Sequence, residues 1–357
     1  MKVIKNILCA AGIIIGAALV LFLLLVAFLS IREYRPGEIE KSKVSGGMNL
    51  TKPKEGDDIS ILLWNIGYCD LGNNADFFMS YGKNIRSSSK ARAKENLSEI
   101  IKFLKSENPD VIMLQEIDLN STRSYHINQM ETIGKSIPEK AKSFAYNFNV
   151  DYIPYPMPPI GKVRSGLATY VPYQVTDAYR QALPVPFKWP IRLANLKRCM
   201  LVNRIPIEGS DRELVLINLH LEAFDNGEGK IAQTKKLQSV LEAEYEKGNY
   251  VIAGGDYNQV FSNTDASMYT KKENCWQPGA LDINDFSDHW QFRQDNTYPT
   301  CRSTNTVYVG EERNKVQYYM LDGFIVSDNI TIHSVETQNL DFVNSDHNPV
   351  IMKLTLN

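Results

Sequence analysis

The chain changes character near residue 30. From Ile7 to Leu29 no charge interrupts the apolar run, Lys2 and Lys5 precede it, and Arg32 is the first charge after it. Such a run supplies the roughly 20 apolar residues a helix needs to cross a bilayer. A cleaved signal peptide is the competing reading, but its apolar core is about 7–15 residues long and ends in a small-x-small site. Here the run is longer and closes on Val26-Ala27-Phe28-Leu29. The pattern therefore predicts a retained single-pass anchor over residues 1–30. Lys2 and Lys5 keep the N-terminus inside and send the remainder outward, with Arg32 and Arg35 pulling against that orientation. Residues 31–58, rich in Lys, Glu, Gly and Pro and without apolar periodicity, read as a flexible stalk.

From Ile59 onward, short apolar runs alternate with amphipathic stretches, which predicts one α/β domain over residues 59–357. Ala93, Leu97, Ile100, Ile101 and Leu104 share one face of a helix over residues 91–105, and a second helix covers 231–247, ended by Gly248. Strands are expected at 59–65, 111–115, 166–170, 198–206, 214–219, 250–254, 321–326 and 350–356.

Composition narrows the picture only slightly. The net charge of −2 gives no global footprint for a polyanion, although a bound cation can supply that attraction locally. Cys69, Cys199, Cys275 and Cys301 show no C-x-x-C pairing, which argues against a zinc site and leaves their disulfide state open. Nothing points to an obligate protein partner.

The informative residues stand at the ends of the apolar runs. Leu62-Leu63-Trp64 leads into Asn65; Val111 to Leu114 leads into Gln115-Glu116; Leu214 to Ile217 leads into Asn218-Leu219-His220. Val251 to Gly255 leads into Asp256-Tyr257-Asn258, and Ser345-Asp346-His347-Asn348-Pro349 precedes the last strand. Taken singly, each is a turn residue or a cap. Together they are polar groups held at one edge of a rigid sheet, where open α/β sheets bind ligands.

Six short motifs in this order, Trp64-Asn65-Ile66, Leu114-Gln115-Glu116, Asn218-Leu219-His220, Gly255-Asp256-Tyr257-Asn258, Leu321-Asp322-Gly323-Phe324 and Ser345-Asp346-His347-Asn348-Pro349-Val350, resemble the endonuclease/exonuclease/phosphatase superfamily. That group includes pancreatic deoxyribonuclease, apurinic endonucleases, neutral sphingomyelinases and inositol polyphosphate 5-phosphatases. The resemblance implies a four-layer α/β/β/α sandwich with the site at one end of two packed sheets. It implies a divalent-metal-dependent phosphoesterase using Mg2+ or Mn2+. Oxygen ligands suit such hard cations, with Glu116, Asn65 and Asp346 as the ligand set. Asp322 would fix the tautomer of His347. Asp256 or His347 would activate water, Asn258 would hold the phosphate or that water, and His220 would donate to phosphate or to the leaving group. Arg164, in Arg164-Ser165-Gly166-Leu167-Ala168, is a candidate phosphate contact. A second Ser-Asp-His triplet, Ser287-Asp288-His289, lacks the following Pro and precedes Asp322, so the catalytic role falls to His347.

The expected function is a phosphodiesterase or nuclease acting outside the cytoplasmic membrane. The alternative is a sphingomyelinase-like or phosphoinositide-directed enzyme. The partner is thus nucleic acid or a lipid head group, with the membrane held through the N-terminal helix. The reading from another class is a surface protein that binds phosphate without turning it over. The stretch between Ser121 and Lys162, with Tyr125, Tyr146, Tyr152, Tyr155 and four prolines in 153–159, and the aromatic-proline loop Phe187-Lys188-Trp189-Pro190 are candidates for a specificity rim.

Overall fold

The computed structural model of the chain describes residues 2–86, 89–225 and 227–357. Two seven-stranded sheets dominate it. One runs, edge to edge, through Ile330–Thr337, Val350–Leu356, Asp58–Asn65, Val111–Asp118, Gly161–Val171, Ala141–Ile153 and Ser45–Gly46. The other runs through Ile39–Lys41, Asp177–Ala182, Cys199–Pro206, Glu213–His220, Tyr250–Asp256, Asp322–Ser327 and Trp290–Arg293.

The sheets pack face to face on a continuous apolar core that includes Leu63, Met113, Leu216, Ile252, Phe324 and Met352, all with no exposed surface. Burial of a side chain of this kind contributes roughly 1.5–3 kcal/mol. The helix Lys90–Glu107 covers the first sheet through Leu97, Ile100 and Leu104. It starts where the Ser89 hydroxyl accepts from the Arg92 N–H at 3.1 Å, and it stops where Asn108 turns left-handed at φ +44°. The helix Glu228–Tyr245 covers the second sheet through Leu237 and Leu241. The result is the α/β/β/α sandwich implied by the resemblance.

The expected strands all form, most of them a few residues longer than the apolar run that announced them. The Ala141–Ile153, Asp177–Ala182 and Ile330–Thr337 strands carry too many polar residues to be read from apolar runs, because each has one face outside the core.

The expectation of a flexible stalk over residues 31–58 needs correction. Ile39–Lys41 pairs antiparallel with the Asp177–Ala182 strand on one sheet, and Ser45–Gly46 pairs with the Ala141–Ile153 strand on the other. The Ser42 hydroxyl between them donates to the Phe144 carbonyl at 2.8 Å. This segment straps the edges of both sheets. An edge strand is held by backbone hydrogen bonds and needs no apolar periodicity, which is why its polar sequence resembles a linker.

The apolar N-terminus forms one helix, Lys2–Ile31. At 1.5 Å per residue its 30 residues span about 45 Å, enough to cross a membrane. Its last turn is not free: Leu29 is buried against Val150, Ile153, Val163 and Leu193 of the domain.

Candidate active site

Strand register builds the centre of the site. Asp256 ends its strand directly opposite His220 on the parallel neighbour and opposite Asp322 on the antiparallel one. Three chemistry-bearing residues therefore stand in one row across the second sheet. Gly255 makes this possible: its φ is +149°, and a Cβ there would lie 2.0 Å from the Leu219 carbonyl oxygen.

His347 approaches from the loop before the Val350–Leu356 strand. Its Nδ1 sits 2.8 Å from Asp322 Oδ2, and its Nε2 lies 3.7 Å from Asp256 Oδ2. His220 Nε2 is 3.4 Å from that same oxygen, and Asn65 Nδ2 donates to it at 3.0 Å. The other oxygen, Asp256 Oδ1, accepts from the Asn258 backbone N–H at 2.9 Å. Asp256 is thus the pivot on which both histidines and Asn65 converge.

The first sheet supplies the remaining carboxylates. Glu116 is turned out of its strand at a register break between Leu114 and Ile117, where its own φ is +53°. A bulge that re-aims a side chain in this way is a frequent device beside functional sites. Glu116 Oε1 accepts from Asn65 Nδ2 at 3.1 Å and lies 4.0 Å from His220 Nδ1. Asp346 is buried, and its Oδ1 has no hydrogen-bond partner among the described residues. Gly67 clears room for that oxygen: a Cβ at this φ +48° position would sit 2.9 Å from Asp346 Oδ1.

The surroundings set the charges. Burial pushes the Asp256 carboxyl up to about 7, with His347 pulling it down and Asp322 pushing it further up. Burial likewise raises Asp346 to about 6, opposed by His347 and reinforced by Glu116. Burial opposes a charged His347, but Asp322 and Cys301 outweigh it and hold the imidazole well above the ordinary histidine range. His220 goes the other way: burial, helped by the positive charges of Arg198 and His347, holds it well below that range. The two histidines flanking Asp256 therefore differ in charge near neutral pH, His347 cationic and His220 neutral.

Comparison with known proteins gives the family and the fold. The profile of the Endonuclease/Exonuclease/phosphatase family matches residues 62–347. The chain belongs to this family. Among solved structures, an endonuclease/exonuclease/phosphatase from Beutenbergia cavernae is 16% identical over 84% of this chain and 72% of its own, with a TM-score of 0.57. The human Nocturnin catalytic domain with bound sulfate anion is 13% identical over 88% of this chain and 97% of its own, with a TM-score of 0.51. D. rerio TDP2 complexed with single strand DNA product is 14% identical over 84% of this chain and 99% of its own, also with a TM-score of 0.51. No curated protein matches. At these identities the structural likenesses speak for the fold.

Family enzymes use divalent metals, and the residues present fit such an ion. Asp346 Oδ1 is a buried oxygen without a partner among the described residues; burial raises its carboxyl and neighbouring Glu116 adds to the rise, as for two carboxylates that a cation between them would relieve. Asp256, Asp322 and His347 form a second cluster, their ligand atoms within 4.8 Å of one another. That cluster is the poorer cation site, because an imidazole kept protonated by Asp322 has no lone pair to give.

Asn65 stands beside the two carboxylates of the expected ligand set. Its amide oxygen accepts from the Gly67 N–H at 3.0 Å, so it presents its NH2 to the site and bridges Glu116 and Asp256. Arg164 is not brought to the cavity at all. It pairs with Asp151, which also holds Arg32 at the foot of the N-terminal helix. It stands on the Gly161–Val171 strand, between the Val111–Asp118 and Ala141–Ile153 strands, and the two residues after it, Ser165 and Gly166, line the pocket.

Arginines that the motifs did not announce line the cavity instead. Arg123 lies over the Tyr68 ring at 3.6 Å and pairs with buried Asp118 at 3.0 Å. Arg198 pairs with Glu222 at 3.2 Å, and Arg302 donates to the Gly72 carbonyl at 2.7 Å. A buried Asp118 two residues beyond Glu116 was the one available signal for Arg123. His289, His126 and His333 lie outside the cavity lining, and all five cysteines are free thiols.

Proposed function

We propose that the chain is a divalent-metal-dependent phosphodiesterase, taking Mg2+ or Mn2+, anchored by its N-terminal helix with the domain outside the cytoplasmic membrane. The observation that carries the reading is the convergence of His220, His347 and Asn65 on one oxygen of Asp256, beside the Glu116 and Asp346 carboxylates.

Glu116 and Asp346 would hold the ion, which when bound neutralises phosphate charge and polarises the P–O bond. Asp256, with its carboxyl raised to about 7, is the base that takes a proton from the attacking water. Asn65 and the Asn258 N–H orient that carboxylate. His347, kept cationic by Asp322, stabilises negative charge on the phosphate, which favours Asp over His as the base. Neutral His220 donates an N–H hydrogen bond to a phosphate oxygen and does not deliver a full proton to the leaving group.

The test is hydrolysis of bis(p-nitrophenyl) phosphate by the full-length protein with Mg2+ or Mn2+ and with EDTA, with plasmid DNA and RNA in parallel. Turnover of a diester that EDTA stops supports the reading. Binding of phosphate without any turnover would replace it with the non-catalytic alternative.

A further inference from the structure

The foot of the N-terminal helix and the mouth of the active site share a wall. Leu25, Val26 and Leu29 pack against Val150, Ile153, Val163 and Leu193. Polar contacts fix the junction: Arg32 to Asp151 at 2.7 Å, Glu33 to Arg192 at 3.1 Å and to Lys197 at 3.3 Å, and Trp189 Nε1 to the Ser30 hydroxyl at 3.2 Å. With the strapped edge strands that follow, these contacts set the domain's orientation on the helix. A free linker would leave it to swing.

The segments that receive the helix also wall the pocket. Phe148 packs against the helix-end cluster and lines the cavity; Phe187, Asn195 and Leu196, flanking the Trp189–Leu193 contact, line it too. On the opposite rim, Phe77, Met79 and Ser80 line the cavity, and the Phe78 ring meets Tyr155 edge-on at 5.9 Å. The loop at 152–160 therefore reaches from the helix foot to the far rim.

These loops carry large apolar groups in the open. Tyr155 is 69% exposed, Met157 84%, Trp189 56% and Ile191 63%. A single exposed apolar residue needs no explanation. Trp189 and Ile191 lie at the foot of the apolar helix and Tyr155 and Met157 on the loop that runs from it to the far rim; together they have the composition of the aromatic belt that membrane proteins place at the bilayer interface. Inside, the cavity offers aromatic and aliphatic walls above a polar floor, with Phe77, Phe148, Phe187, Phe224 and Trp276 over Glu116, His220 and Asp256. The arginines lining it are engaged with Asp118, Glu222 and backbone carbonyls, whereas a long polyanion needs a row of available cations.

We propose that residues 152–160 and 187–191, with the helix end, form a bilayer-contacting face, and that the site takes its phosphodiester from lipids of the membrane in which the chain is anchored. The inference rests on the phosphodiesterase reading. In the reaction, water oxygen joins phosphorus as one water proton passes to Asp256, one P–O ester bond breaks with its electron pair leaving on the ester oxygen, and that oxygen takes a proton from solvent water, which the proton later released by Asp256 replaces. The products are an alcohol and a phosphate monoester, one of which stays with the membrane.

The test uses the full-length chain in vesicles of phosphatidylcholine, phosphatidylglycerol and sphingomyelin, with Mn2+. It compares wild type with a Tyr155→Ser/Met157→Ser/Trp189→Ser variant, whose altered side chains are exposed and do not line the cavity. Expected are wild-type release of lipid phosphate monoester or free alcohol, a drop of tenfold or more in the variant on vesicle lipid, and soluble bis(p-nitrophenyl) phosphate turnover within twofold of wild type. Fluorescence lost in Trp189→Phe should be the component quenched by lipids brominated near the head group. Turnover of the soluble diester or of nucleic acid without turnover of lipid overturns the inference and leaves the phosphodiesterase reading standing. Equal lipid turnover by the variant, or an unquenched Trp189, also overturns it. Silence on every diester removes both.

Discussion

Two Ser-Asp-His triplets lie in this chain, and the fold gives them opposite surroundings. Ser345-Asp346-His347 is buried just before the last strand. The Ser345 hydroxyl donates to the Asn65 carbonyl at 2.8 Å, Trp64 Nε1 donates to the His347 carbonyl at 2.8 Å, and Asp322 faces the His347 ring. Ser287-Asp288-His289 lies at the surface beside the Glu228–Tyr245 helix. Its histidine side chain is half exposed, stacked on Tyr245 at 4.4 Å and 3.3 Å from Asp328. Both histidines have an aspartate partner. Only His347 has it in a buried cluster beside other acids, where a lost charge is not replaced by water. The triplet carries no chemistry by itself; burial and a fixed second carboxylate supply it.

The sharpest way to break that comparison is to delete each ring. His347→Ala should lower the rate on a soluble diester by at least about 10²-fold, the lower range for groups acting in proton transfer and charge stabilisation. His289→Ala should stay within twofold, measured in the same assay. Equal losses would mean that the surface triplet had been misjudged.

The aspartate partners come next. Asp322→Asn removes the anion from His347 and should cost about tenfold to a hundredfold in kcat, from the value of a buried hydrogen bond to a charged group. Asp328→Asn should leave kcat unchanged.

Stability against pH separates the two regions further. Asp256 and Asp346 have folded pKa values of about 7 and about 6, above the unfolded value of about 3.9. Between those limits the folded chain holds protons that the unfolded chain has released, so stability falls as pH rises. Raised His347 acts in the same direction: its contribution is present below the unfolded histidine pKa and is lost only as pH climbs through the higher folded value. Lowered His220 opposes this between pH 5 and the unfolded histidine pKa, because the unfolded chain there holds a proton that the folded chain does not, but one group stands against three. EDTA-treated protein should therefore melt at a lower temperature at pH 8 than at pH 5. The slope should be shallower in Asp256→Asn. A melting temperature that rises over this interval would contradict the burial described for these acids.

The smallest effect is expected at Arg164. Because it pairs with Asp151 at the helix foot, Arg164→Ala should keep soluble diester turnover within about twofold, as surface changes commonly do.

Much of this was legible because the strands of the inner core are apolar runs that end abruptly in acids, amides and histidines. Asn65, Glu116, His220, Asp256 and His347 announced themselves by that break. Gln115 and Asn218 broke the same pattern for another reason. They pair with each other between the sheets at 2.8 Å and serve packing. Sequence has no way to tell an amide aimed at a pocket from one that bridges two sheets. Arg123 escaped notice because its position depends on a turn bringing it back over Tyr68 and Asp118. The strap at 31–58 escaped because edge pairing leaves no apolar signature.

The central claim is that phosphodiester hydrolysis depends on the carboxylate that the register break throws into the cavity. The most direct measurement is the Mn2+-dependent rate on bis(p-nitrophenyl) phosphate for wild type and Glu116→Ala side by side, with melting temperatures recorded without metal. The account predicts metal-dependent turnover in wild type, its abolition in Glu116→Ala, and nearly equal melting temperatures. Full activity in Glu116→Ala, or wild-type turnover indifferent to metal, would contradict it.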